Sequence, residues 1–120
     1  MRLTVVIDCH DPEALEPFWA AALGYRPAQG PPGWAALVPP DGETGPVVLL
    51  QAVPEAKSVK NRVHLDVHPD DPAAHVARLE ALGARRLGGW VDELADEAGV
   101  RWLVLADPEG NELCVVEHLR

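Results

Sequence analysis

Basic residues are scarce in this chain: ten Lys and Arg stand against nineteen Asp and Glu, a formal charge of -9 with His neutral. That balance repels a phosphate backbone and leaves no cationic stripe to displace its counterions, so nucleic acid is excluded as a partner. Cysteine is nearly absent too. Cys9 and Cys114 each sit inside an apolar, strand-like run and in no CxxC spacing, which reads as two buried thiols rather than a disulfide or a cysteine-rich metal site. Long apolar runs are missing as well. Leu3 to Ile7 spans only five residues before Asp8, too short for a secretory leader core or a membrane span. These absences lead to the expectation of a cytoplasmic protein with no membrane partner. What remains is 120 residues with 48% apolar content, enough for the core of one domain. Most of the basic residues are Arg, and Ala, Gly and Pro are abundant, a composition suggesting a high-GC bacterial source.

The order of local signals repeats once. Leu3 to Cys9 is strand-like; Asp11 then offers an N-cap with Pro12 at the first helical position. Leu15, Phe18, Trp19, Ala22 and Leu23 recur on one helical face until Gly24, and Pro17 predicts a kink or a loose first turn. Strands are expected near Tyr25 to Pro27, at Trp34 to Val38 and at Val47 to Val53. The second half follows suit, with a strand at Val63 to His68, a helix capped by Asp71 and Pro72, and an apolar stripe of Val76, Leu79 and Leu82 before Gly83. Further strands are expected at Ala84 to Leu87, Arg101 to Ala106 and Glu112 to Glu117. Echoes such as "AALGYRP" with "EALGARR" and "WAALVPPDG" with "WLVLADPEG" keep the same order in both halves. Two fused βαβββ modules, about 1–56 and 60–120, account for the pattern.

Alternation along the fifth strand places Val63, Leu65 and Val67 on one face and Arg62, His64, Asp66 and His68 on the other. With one helix per module to cover one sheet face, the polar face of that strand is expected to look into a groove. On the last strand Leu113 and Val115 take the helix side, leaving Glu112, Cys114 and Val116 opposite.

With these segments in hand the chain resembles the vicinal oxygen chelate superfamily, and within it the glyoxalase-like domain proteins related to glyoxalase I, bleomycin-resistance proteins and extradiol dioxygenases. The resemblance is carried by "DPEALEPFWAAALGY" (11–25), "KNRVHLD" (60–66), "LEALGARRL" (79–87) and "LADPEGNELCVVE" (105–117), and it covers nearly the whole chain. It implies an α+β fold of two tandem modules forming an eight-stranded, partly open barrel with a central groove, assembled as a homodimer. It also implies metal ligands on the first and last strands of each module, which here fall on Thr4 (or Val6), Gln51, His64 and Cys114. The family pattern "DPxGNxxE" carries Glu where this chain has Cys114.

That set holds one imidazole, one thiol, one amide and one hydroxyl, two strong donors where a divalent ion wants three or four, so no metal cofactor is expected. Without metal, His64 and Asp66 form either a general acid/base pair or a structural polar cluster in which Arg62 also pairs with Asp66. His10 and His68 read as exposed polar residues beside helix N-termini. Among the four tryptophans, Trp19 belongs to the core and Trp34 and Trp102 to core or groove wall, while Trp90, after "GG", suits a lid or a dimer contact. The leading expectation is a protein that binds a small organic molecule in a groove lined by Gln51, His64, Asp66, Trp102 and Cys114. The alternatives are a metal-dependent lyase, isomerase or dioxygenase, a metal-free His64 acid/base enzyme, or an interaction domain whose groove is filled by its own side chains.

Overall fold

The computed structural model describes residues 1–120, which divide into two units, Met1–Lys57 and Ser58–Arg120. The first unit comprises β1 (Thr4–Cys9), α1 (Pro12–Leu23), β2 (Arg26–Ala28), β3 (Trp34–Val38) and β4 (Val47–Ala52). Asp11 caps α1 by accepting from the Ala14 backbone N–H at 3.2 Å, and Pro12 fills the position that needs no hydrogen-bond donor. Gly24 closes the helix in the left-handed region, φ 66°, where its N–H reaches Ala20 O. The helix runs on through Pro17. Glu13 and Pro17 are both exposed, so water can take the carbonyl that the proline leaves without an intrahelical donor. Leu15, Phe18, Trp19 and Ala22 form the buried stripe, and Phe18 meets Trp19 edge-on at 5.7 Å between ring centroids. They pack with Leu37, Val48 and Leu50 on a sheet ordered β1-β4-β3-β2, in which β1 runs parallel to β4 and the other pairs are antiparallel.

The second unit repeats this with β5 (Leu65–Val67), α2 (Pro72–Ala81), β6 (Arg85–Arg86), α3 (Ala95–Ala98), β7 (Val100–Ala106) and β8 (Glu112–His118). Asp71 caps α2 through Ala74 N–H at 3.1 Å. The sheet order is β5-β8-β7-β6, again with the first strand parallel to the last. Val76 and Leu79 from α2 join Leu103, Leu105, Leu113 and Val115 in a fully buried core.

The eight strands lie in two open four-stranded sheets, the α+β arrangement expected of two βαβββ modules. Each sheet ends on short strands, β2 with Pro27, which has no N–H to offer a further neighbour, and the two-residue β6. The fifth strand begins at Leu65 rather than Val63. The Asn61 side chain donates to the Val63 carbonyl at 3.3 Å, residues 62–63 form a bend, and Val63 is 81% exposed instead of joining the core. Leu82 turns outward as well, because the chain folds back after Leu79, with Ala84 N–H bonded to Leu79 O at 2.9 Å and Gly83 at φ 105°. The short helix α3, closed by Gly99 in the left-handed region, has no counterpart among the expected elements. Leu79→Ala should therefore cost about 2–5 kcal/mol of unfolding free energy in urea titration. Leu82→Ala, at 37% exposure, should cost under about 1 kcal/mol.

Candidate functional site

Glu112, at the start of β8, is buried, and its charge is answered by Lys60 Nζ at 2.7 Å and by the backbone N–H of Asn61 at 3.1 Å. The bond to Glu112 holds the Lys60 ammonium above its ordinary pKa. This clamp ties the segment ahead of β5 to β8. The parallel register then sets Asp66 beside Cys114, and side-chain alternation brings His64, Asp66 and His68 from β5 and its flanks onto the same face as Cys114, Val116 and His118 of β8.

A cavity of about 410 Å³ opens on that face, lined by His64, Asp66, His68, Leu94, Val100, Trp102, Cys114 and Val116. Its two sides differ in chemistry. The β5 side presents two imidazoles and a carboxylate; Val100 and Trp102 of β7, with Leu94 at the start of α3, form an apolar wall. Leu94 is carried there by the segment 88–94, which is pinned at Val91: its N–H bonds Trp102 O at 2.8 Å, and Trp102 N–H bonds Val91 O at 3.1 Å. Trp90 packs on the Arg101 guanidinium, 4.5 Å from the ring centroid, and Arg101 Nε donates to Glu117 at 2.7 Å.

Of the residues singled out in the sequence, the structure brings together His64, Asp66, Trp102 and Cys114. Gln51 lies on β4 of the first unit, paired across the ladder with Asp8 and Trp34, and is not among the residues lining this cavity. Thr4 is exposed on β1. His10 bonds the Glu55 carbonyl at 3.0 Å. The sequence reading passed over His68, although alternation from His64 already placed it on the same face. It also passed over Leu94, whose only signal was the short "ADEAG" turn of helix that follows it.

His64 Nε2 lies 3.2 Å from Asp66 Oδ1, and Arg62, on the bend before β5, takes no part in that pair. The Cys114 thiol lies beside Asp66. Burial, followed by the charge of Asp66, lifts its pKa from 9.0 to about 11, so at neutral pH it is a protonated thiol and not a nucleophile. The donor atoms of His64, Asp66 and Cys114 all lie within 4.8 Å of one another. Asp66 thus supplies the third strong donor absent from the set inferred by resemblance. Imidazole, carboxylate and thiolate together suit a borderline divalent ion such as zinc, which must displace the thiol proton in order to bind.

The family model for the glyoxalase-like domain matches residues 4–116. The chain belongs to the glyoxalase-like domain family. Solved structures share the fold of this glyoxalase-like domain. A glyoxalase/bleomycin resistance protein/dioxygenase family enzyme from Burkholderia phytofirmans PsJN superposes with a TM-score of 0.74 at 20% identity over 97% of each chain. A glyoxalase family protein from Bacillus cereus gives 0.73 at 16% identity, covering 100% of this chain and 95% of the other. A bleomycin-binding protein, solved with bleomycin bound, gives 0.66 at 18% identity over 98% of each. At these identities the likeness is one of fold. No curated protein matches the chain.

Removing the Asp66 charge should release the thiol. Asp66→Asn is expected to speed modification of Cys114 by a disulfide reagent at pH 9 on the order of a few-fold, read by peptide mass mapping with Cys9 as the internal reference. In the unmodified chain the folded state keeps the thiol proton to higher pH than the unfolded state does. The stability this contributes is complete below pH 9 and lost as pH rises towards about 11.

Proposed function

We propose that this glyoxalase-like domain binds a small organic molecule in the cavity of its second unit. The observation that carries the reading is the division of that cavity into an apolar wall of Trp102, Val100, Val116 and Leu94 and a polar row of His64, Asp66 and His68. Its volume of about 410 Å³ falls within the range of small-molecule sites. The lining includes no Lys or Arg and one carboxylate, so the favoured ligand is a flat, largely apolar molecule carrying a hydrogen-bond donor or a basic group. Trp102 offers its ring to the apolar body; Asp66 accepts from the polar group, and His64, held by Asp66, donates to or accepts from it. A fold relative's capture of bleomycin is consistent with such a role.

A second reading, favoured by the convergence of His64, Asp66 and Cys114, is a metal-dependent enzyme of the same superfamily. Those three residues would hold the ion, which when bound supplies Lewis-acid polarisation of a substrate oxygen. His68, outside the set, would hold or receive a proton at the cavity edge.

Native mass spectrometry of the purified chain against a small-molecule library, followed by titration of the hits, separates these readings. Binding that weakens about tenfold or more in Trp102→Ala and His64→Ala, with unchanged circular dichroism, supports the binding role. Hits that bind both variants as tightly as the parent chain overturn it. For the metal reading, zinc should bind at one equivalent per chain and be lost in Cys114→Ser; the absence of such uptake would refute it.

A further inference from the structure

Beyond the cavity donors, the same ladder carries a second pair of metal-capable groups. His68 follows β5 and His118 ends β8; both are exposed, with Nδ1 of His68 2.8 Å from Nε2 of His118 and ring centroids 5.1 Å apart at 32°. The pair shares a sheet face with Val116, whose side chain is buried in the cavity wall between Cys114 and His118. Nothing in the proposed ligand-binding role calls for two imidazoles in contact at the rim.

We propose that His68 and His118 form a bidentate site for a tetragonal transition-metal ion, Cu(II) foremost and then Ni(II), separate from the His64, Asp66 and Cys114 set. The argument is the convergence of two exposed imidazoles at the ends of neighbouring strands. Their 2.8 Å approach is a hydrogen bond, one ring's N–H meeting the other's lone pair, so both nitrogens come within reach of a shared ion once that proton leaves. Among first-row divalent ions copper(II) binds imidazole nitrogens most strongly, in a tetragonal plane, with nickel(II) next. Exposure serves the site twice. Each ring is free to swing its lone pair from its neighbour onto a shared ion, and water can fill the remaining corners. The strands hold the two backbones in place, so little chain entropy is lost on binding.

The test is a Cu(II) titration followed by electron paramagnetic resonance on Cys114→Ala, which removes the cavity thiol and disables the cavity set. One equivalent with a tetragonal spectrum and nitrogen couplings is expected, and its affinity should fall at least tenfold when His68→Ala or His118→Ala is added. An unchanged affinity in those double variants, or a first equivalent that goes elsewhere, overturns the site. Should Cys114→Ala fail to fold, Ni(II) titration of the parent chain by NMR decides instead. Broadening of the His68 and His118 ring signals ahead of those of His10, His64 and His75 supports the site; broadening that reaches the others first refutes it. Substitution of His118 at the exposed end of β8 leaves His64, Asp66 and Cys114 intact, so this outcome is independent of whether the cavity binds an organic ligand.

Discussion

The parallel register of β5 on β8 is the constraint from which the site follows. It sets Asp66 beside Cys114, and a shift of one residue would turn the whole polar row to the helix side, where Leu65 and Val67 now lie. Three paired residues are a short ladder to carry that duty. The Glu112 clamp on Lys60 and Asn61 strengthens it from outside, because a buried carboxylate without those partners would be costly.

Asp66 is the hinge of the chemistry. One oxygen faces the His64 imidazole, and after burial it is the same charge that keeps the Cys114 thiol from ionising. A bound cation would reverse the second effect, since it favours the thiolate that Asp66 opposes. An ion held there would therefore have to displace the thiol proton that the cluster otherwise keeps.

Much of this was legible in the sequence. Asp11 with Pro12 and Asp71 with Pro72 marked both helix starts to the residue, and alternation put His64, Asp66 and Cys114 on one face. The parts that were not legible depend on partners distant in the chain. Nothing near Val63 announces that Asn61 will take its carbonyl, or that Glu112, some fifty residues away, will draw the preceding segment out of the strand. Asp66 entered the donor group for a different reason: family positions point to one residue per strand, whereas a strand face offers every second residue. His68 was lost to its position beside a helix start, an environment that usually means an exposed side chain; it is exposed here, yet it has His118 beside it.

The segment from Gly88 to Leu94 reaches the cavity with a single side chain and is fastened by one bridge at Val91 and one stacked ring at Trp90. None of the polar row depends on it. Natural variation in the length or sequence of this strap would recut the apolar rim while leaving the polar floor untouched, so the shape of the opening can evolve independently of the donors beneath it.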